Sequence, residues 1–306
     1  MAEPTHPQTP DDTIGARDLT AWHTRFGRWL VSVFTALART VRPAAGRVVD
    51  WSAAHLAFVI FAVVSLGLMA LLVEGVEQVY ESLTERDGLA GLDQPVLDAM
   101  VAQRTPGLDS AVTTFTDLGG AVGMPIIAAV CAIAIALWRR SWTPVVLTLI
   151  AAAGSVTMTV VGKDMVDRAR PPAALAVPPL EVSPSFPSGH TLNATVLITM
   201  IVYLLLIETT ATWQRVLAVT VGTAFVVLMG LSRVYLGHHW LTDVVAGWLI
   251  GLAWALAVIT AHRLWLTLRD RGDRGDRGDR GEPAETAEGY ERGGSGTSSD
   301  PTTVTP

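Results

Sequence analysis

The sequence predicts an all-α membrane protein in which six transmembrane helices form one bundle, and two observations support this fold class. Of its 306 residues, 50% are hydrophobic and only 16% are charged, whereas soluble domains carry about 25% charged residues. Six stretches also lack Asp, Glu, Lys and Arg, and each approaches the roughly 20 residues that a spanning helix needs. These stretches are 53–73, 118–138, 143–162, 191–207, 216–232 and 244–261, of which the last three need flanking residues to span.

The distribution of arginine predicts the orientation of these helices. Six Arg precede residue 53, Arg139 and Arg140 lie between the second and third stretches, and seven Arg follow residue 261. The link 74–117 instead holds nine acidic residues and two Arg. Because positively charged links stay in the cytoplasm, we expect both termini there and the acidic link outside.

Composition excludes several classes of protein. A single cysteine, Cys131, excludes an internal disulfide framework and any multi-cysteine metal site. The net charge of −6 argues against a nucleic-acid-binding protein. Of 22 basic residues, 21 are Arg. We therefore expect the lone lysine, Lys163, to occupy a position whose role an arginine could not fill.

The two ends of the chain differ from the apolar part. Residues 1–17 are predicted to be disordered, and 18–50 to contain an amphipathic helix in the inner headgroup layer, with a partner-binding helix as the alternative. The six-helix domain is predicted over 51–265. Residues 266–306 are predicted to be a disordered cytoplasmic tail, which contains four Asp-Arg-Gly triplets at 270–281.

Three polar clusters interrupt the apolar pattern, at 163–171, 186–190 and 232–243. The first cluster follows the third predicted span and the second precedes the fourth, so both lie on one side of the membrane. The fourth and fifth spans cross and return, which brings the third cluster to the same side. The arginine distribution predicts that this side is the outer one.

The residues in these clusters are typical of a phosphate site. Lys163, Arg170 and Arg233 can donate hydrogen bonds to an anion. Ser188 and Gly189 lie just before a predicted helix, where unpaired backbone N–H groups and the helix dipole favour negative charge.

The histidines add what phosphoryl transfer requires. His190 and His239 are candidates for a proton donor and a nucleophile. Asp243 follows His239 by four residues, so one helical turn can place its carboxylate against the imidazole and set the tautomer. The sequence leaves the role of Arg168 open, since this residue either serves the site or faces water. For His238, which precedes His239, we expect a packing or headgroup role.

The clusters resemble the three signature motifs of the type 2 phosphatidic acid phosphatase (PAP2) superfamily. These read Lys, six residues, Arg-Pro; then Pro-Ser-Gly-His; then Ser-Arg, five residues, His, three residues, Asp. All three occur here in order and with that spacing, and the resemblance covers roughly residues 52–263.

The resemblance implies a mechanism for this chain. His239 would attack phosphorus and form a phosphohistidine, His190 would protonate the leaving oxygen and then help to activate water, and Asp243 would orient His239. The phosphoryl oxygens would be held by Lys163, Arg170, Ser188, Gly189 and Arg233. The family needs neither a metal nor a cofactor.

The function expected from this resemblance is that of a bacterial membrane lipid phosphatase with its site at the outer leaflet. Its partners would be the bilayer and a lipid phosphate or diphosphate, such as undecaprenyl diphosphate, phosphatidylglycerophosphate or phosphatidate, with a slight preference for polyprenyl diphosphates or a broad activity. A non-catalytic lipid-phosphate binder or transporter is the alternative. Such a protein could dispense with His239 and Asp243, and this chain keeps both, which favours the enzyme. A vanadate-dependent haloperoxidase is a third alternative, because these enzymes share the motifs. They are typically soluble, so the six predicted spans argue against it. The sequence does not indicate an oligomeric state.

Overall fold

The computed structural model describes residues 53–85 and 87–279, and every regular element within them is helical. The α-helices are α1 Ala53–Glu85, α2 Asp93–Val101, α3 Pro106–Asp117, α4 Gly123–Arg139, α5 Thr143–Val166, α6 Gly189–Glu208, α7 Thr212–Tyr235 and α8 Leu241–Asp279. Two 3₁₀ turns, Gly88–Leu92 and Ala173–Leu175, complete the set. The all-α prediction therefore holds, while the predicted amphipathic helix within 18–50 lies outside the described residues.

Five helices of the described part are long and apolar enough to cross a membrane. They are Val59–Glu85 of α1, Thr143–Val166, Gly189–Glu208, Thr212–Tyr235 and Leu241–Thr267 of α8. The sixth candidate, α4, is apolar but has only 17 residues, at the lower limit of about 17–25 residues for a spanning helix. The number of six spans therefore stays a prediction that depends on α4.

The second predicted span begins too early. We expected it from residue 118, but Leu118 caps the end of α3 and α4 starts only at Gly123. Between them the chain makes a tight turn, in which a Cβ added at Gly123 would lie 2.4 Å from the carbonyl oxygen of Asp117. Absence of charge cannot distinguish such an apolar turn from an apolar helix.

The acidic link after the first predicted span is mostly helical. It contains the last twelve residues of α1, followed by α2 and α3. Thr105 caps α3 by accepting a hydrogen bond from the Leu108 N–H at 3.3 Å, and Pro106 occupies the first turn, where its missing N–H costs nothing. The first residue of α2, Asp93, is buried.

Helix α6 is the centre of the bundle. It packs against α4, α5 and α7, and ten of its residues are buried. Helix α8 approaches α6 through glycines, since a Cβ added at Gly251 would lie 2.8 Å from the Cβ of Thr195. The carboxyl ends of α5 and α7 therefore meet the amino ends of α6 and α8 at one end of the bundle, which we call the site end.

The chain divides into two compact units, Met1–Thr267 and Leu268–Pro306. Helix α8 continues to Asp279, so residues 266–279, which we expected in a disordered tail, are helical. The triplet repeat places the first three of its four Asp residues four residues before an Arg, a spacing that favours helix. The remainder of the tail, from residue 280, lies outside the described residues.

Candidate active site

A tight turn between α7 and α8 positions His239 against Asp243. Gly237 has a φ of +74°, and a Cβ there would lie 2.4 Å from the carbonyl oxygen of Leu175, so a side chain does not fit. The Nδ1 of His239 lies 3.4 Å from the Oδ2 of Asp243, one helical turn away. Both side chains are buried. Burial lowers the pKa of His239 to about 4, although the carboxylate of Asp243 opposes this, so the imidazole is neutral near pH 7.

Asp243 is held by Ser185, which the sequence did not single out, and by Arg168, whose role the sequence left open. The hydroxyl of Ser185 donates to its Oδ2 at 2.5 Å, and the Nη1 of Arg168 donates to its Oδ1 at 2.5 Å. The other amino group of Arg168 donates to Asp93 Oδ2 at 2.6 Å. Asp93 in turn accepts from the backbone N–H of Thr242 at 2.9 Å. Arg168 thus joins α2 to the His239–Asp243 pair instead of facing only water.

Two arginines lie on the other side of His239. The Nη1 of Arg170 is 3.2 Å from the Nε2 of His239 and donates to the carbonyl oxygen of His238 at 2.6 Å. Arg233 is almost completely buried near the end of α7. Both guanidiniums pair with the carboxylate of Glu181, at 2.7 Å for Arg170.

Glu181 lies in the loop between α5 and α6 and neutralises part of this cationic cluster. Burial is the largest influence on its pKa and would raise it, but Arg233 and Arg170 together outweigh burial and hold the pKa at about 2. The Nδ1 of His238 is 3.8 Å from the same carboxylate. The Nε2 of His238 lies 2.7 Å from the carbonyl oxygen of Val177, which fastens the histidine to this loop.

Lys163 and Ser188 are engaged in bonds that the sequence did not predict. The ammonium of Lys163 donates to the hydroxyl of Ser183 at 3.0 Å and to the carbonyl oxygen of Pro184.

Ser188 precedes α6, but its N–H donates to the carbonyl oxygen of Asp243 at 3.1 Å. The expectation that this N–H is unpaired is therefore wrong. Gly189, the first residue of α6, packs closely against α5, since a Cβ there would lie 3.1 Å from Thr159 Cγ2.

His190 lies on the first turn of α6 and is half-buried. The turn before α4 covers it, since a Cβ added at Gly120 would lie 3.5 Å from the Nε2 of His190. The site end thus carries two imidazoles, one fixed by Asp243 and one facing the turn at Gly120. No group of three or more His, Cys, Asp or Glu side chains in the described part could hold a metal ion.

Comparisons with known proteins identify the family. The model of the PAP2 superfamily matches residues 141–266, which include all three clusters. Phosphatidylglycerophosphatase B of Bacillus subtilis (strain 168) is 31% identical over 162 residues, which are 52% of this chain and 78% of that protein. The chain belongs to the PAP2 superfamily. An undecaprenyl-diphosphatase of Sulfolobus acidocaldarius is 46% identical over 67 residues, 22% of this chain and 28% of its own length.

A solved structure of the PAP2 type supports the fold. The crystal structure of a transmembrane PAP2 type phosphatidylglycerolphosphate phosphatase from Bacillus subtilis superposes with a TM-score of 0.55 at 26% identity. The match covers 63% of this chain and 93% of that one. The chain is thus a PAP2-type phosphatase with several membrane-spanning helices.

Sequence reasoning about this PAP2 member missed Asp93, Glu181 and Ser185. Asp93 lies 75 residues from its partner Arg168 and 149 from Thr242, so no local pattern links them. Ser185 and Glu181 belong to the loop just before the second motif. The only available signal was that Glu181 is the sole acidic residue between Asp167 and Glu208.

Proposed function

We propose that this protein is an integral membrane phosphatase that removes a terminal phosphate from a lipid phosphate or diphosphate through a phosphohistidine. The observation that carries the proposal is the environment of His239. Its Nδ1 faces the carboxylate of Asp243, and its Nε2 faces the guanidinium of Arg170. A neutral ring nitrogen therefore points at a group that can bind phosphoryl oxygens.

The first step forms the covalent intermediate. The Nε2 of His239 attacks phosphorus and the bond from phosphorus to the lipid oxygen breaks, while His190 gives its proton to that oxygen. Asp243 accepts the Nδ1–H of His239 and stabilises the positive charge that develops on the ring. Arg170, Arg233 and Lys163 stabilise the negative charge on the phosphoryl oxygens. At the amino end of α6, Ser188 contributes its hydroxyl, since its N–H is engaged by Asp243, and Gly189 contributes its backbone N–H.

The second step returns the enzyme to its starting state. His190, now neutral, takes a proton from water, and the oxygen of that water attacks phosphorus. The P–N bond to His239 breaks and inorganic phosphate leaves. Ser185 and Arg168 keep the Asp243 carboxylate in place in both steps, since each donates to one of its oxygens at 2.5 Å.

A groove beside the site supports a lipid substrate. It has a volume of about 600 Å³ and runs between α4 and α5 from Gly120 to Val145. Small residues such as Ala128 and Ala132 line it. Because Gly120 also packs on His190, a hydrocarbon chain in this groove would carry its phosphate at the site. The named activities of the two relatives, on phosphatidylglycerophosphate and undecaprenyl diphosphate, support the same substrate class.

The proposed site faces the outside of the cell. The arginines before residue 53, at 139–140 and after 261 lie at the other end of the predicted spans, and such residues stay in the cytoplasm. Both termini are therefore cytoplasmic in this proposal.

The proposal is tested by phosphate release from a panel of lipid phosphates and diphosphates in detergent with EDTA. We expect release by the full chain and a trapped phosphoenzyme after rapid quenching. His239→Ala should abolish both, while His262→Gln, which alters a buried histidine about 28 Å along α8 from Asp243, should abolish neither. Release at the normal rate by His239→Ala would contradict the mechanism, and its absence with every lipid would favour a binder or transporter.

A further inference from the structure

The carboxylate of Glu181 takes the hydrogen-bond donors that a phosphoryl group needs. Its Oε2 lies 2.7 Å from the Nη2 of Arg170, and its Oε1 pairs with the Nη2 of Arg233. These are the two arginines to which the proposed function assigns the phosphoryl oxygens. A substrate phosphate and the Glu181 carboxylate therefore cannot occupy these two amino groups together.

The pairing also has an electrostatic reason. Arg233 has a side-chain exposure of only 2%, and a buried guanidinium without a counter-charge is strongly destabilising. Glu181 supplies that counter-charge when no phosphate is bound. The two arginines keep it ionised, because they hold its pKa at about 2 against the effect of burial.

The position of Glu181 allows it to leave. It belongs to the loop between α5 and α6, and its side chain keeps 29% exposure. Its neighbours Leu180, Val182 and Ser183 are exposed. The carboxylate can therefore turn into water by side-chain rotation without disturbing a helix.

We propose that Glu181 is an intramolecular competitor for the phosphate-binding arginines, which yields to the phosphoryl group of the substrate and returns as inorganic phosphate leaves. This inference rests on the proposed function of the site. A tethered competitor acts at an effective concentration of the order of millimolar or above, so it weakens the binding of every headgroup anion. A lipid substrate keeps the additional contacts of its hydrocarbon chain, whereas inorganic phosphate has none. The exchange therefore favours release of the product.

The test is calorimetric titration of the full chain in detergent with inorganic phosphate, which requires no turnover. Glu181→Gln removes the charge and should lower the Kd for phosphate at least tenfold. Glu181→Ala should act in the same direction, and provides a second variant should the first not fold. Asp164→Asn makes the same chemical change at an exposed position near the end of α5 and should leave the Kd unchanged. In turnover assays, the inhibition constant for phosphate should fall by the same factor as the Kd.

Unchanged or weaker phosphate binding by the Glu181 variants would overturn the inference. A measurement on the wild-type chain tests it independently: saturating phosphate should raise hydrogen exchange over residues 180–183, and unchanged or slower exchange there would contradict displacement. Tighter phosphate binding by Glu181→Gln in a protein that hydrolyses no lipid would support the competitor and refute the proposed phosphatase. Lipid hydrolysis by Glu181→Gln with no change in its affinity for phosphate would instead support the proposed phosphatase and refute the competitor.

Discussion

His239 combines a buried ring with a carboxylate neighbour, and these two features have opposite effects on its protonation. Burial favours the neutral ring, while Asp243 favours the charged one. Burial is the larger effect and lowers the pKa to about 4, below the value of about 6.5 for an exposed histidine. The resting protein therefore holds an uncharged nitrogen beside Arg170, as the proposed mechanism requires of its nucleophile.

We predict that His239 stays neutral as the pH falls from 7 to 5. Its pKa is depressed to about 4, so the ring is still mostly neutral at pH 5 and reaches half-protonation only near pH 4, well below the range where exposed histidines titrate. The measurement is a pH titration of ¹⁵N-histidine-labelled protein by NMR in detergent, with His239→Gln to assign the signal. A titration midpoint at pH 6.5 or above would show that the carboxylate of Asp243 outweighs burial.

Asp93 is a positioning residue in the proposed mechanism, because it acts on His239 indirectly, through Arg168 and Thr242, which fix Asp243. We predict that Asp93→Asn lowers kcat roughly tenfold, about 1.4 kcal/mol, since hydrogen bonds to charged groups contribute about 1.5–3 kcal/mol. KM should change little, because Asp93 contacts none of the residues proposed to hold phosphate. Steady-state kinetics with one lipid substrate measure both constants.

Two controls separate positioning from a general loss of structure. Asp98→Asn alters an exposed carboxylate on the same helix and should leave kcat unchanged. In an Asp243→Asn background, Asp93→Asn should have little further effect on kcat, because both changes break the same chain of contacts. Fully additive losses would assign Asp93 to stability alone.

Whether the contacts of a single residue could be predicted depends on how far apart the two partners lie in the sequence. The motif spacing predicts that His239 and Asp243 meet, since one helical turn joins them, and they do. The engagement of Arg168 with Asp93 and of Arg233 with Glu181 depends on contacts across 75 and 52 residues. A single sequence carries no pattern over such separations.

At the scale of elements, the site depends on how closely α8 approaches α6. Ser188 donates to the carbonyl of Asp243 across this contact, and glycines allow the approach. A Cβ at Gly247 would lie 3.1 Å from the Cβ of Thr191, and one at Gly251 would lie 2.8 Å from that of Thr195. Composition predicts both helices, but the faces that meet follow only from packing.

We predict that Gly251→Val destabilises the protein by about 1–3 kcal/mol, the usual cost of overpacking. The added side chain would separate α8 from α6, so activity should fall as well. Thermal unfolding of the detergent-solubilised chain measures the change. Gly67→Val is the matched control, because nothing lies within 4 Å of a Cβ at Gly67. Equal stability of the two variants would mean that α8 has room to move.

At the scale of the whole molecule, the meeting of the clusters at one end follows from the alternation of the helices. Each cluster lies where an apolar stretch ends or begins, so their convergence is predictable without any side-chain contact. The ends of the helices are harder to predict. Helix α4 starts later than expected because of a turn at Gly119–Gly123, and α8 continues beyond the apolar stretch to Asp279. These differences arise from local packing and helix propagation, to which a count of charged residues is insensitive.

The orientation of the molecule in the membrane gives the last prediction, which uses the single native cysteine. In a Cys131→Ala background, Val182→Cys adds a thiol to the loop beside the site, and Gln214→Cys adds one at the start of α7; both positions are exposed. Helix α6 separates them. We predict that a membrane-impermeant maleimide labels the thiol at 182 in sealed spheroplasts, and the thiol at 214 only after permeabilisation.

The reverse pattern of labelling would place the site in the cytoplasm and contradict an orientation based on arginine. Labelling of both thiols in sealed spheroplasts would mean that α6 does not cross the membrane, because it alone lies between them. The result also bears on the substrate. In the proposed function a lipid phosphate presents its headgroup in the leaflet that contains Lys163, Arg170 and Arg233, so the labelled side determines which leaflet supplies that lipid.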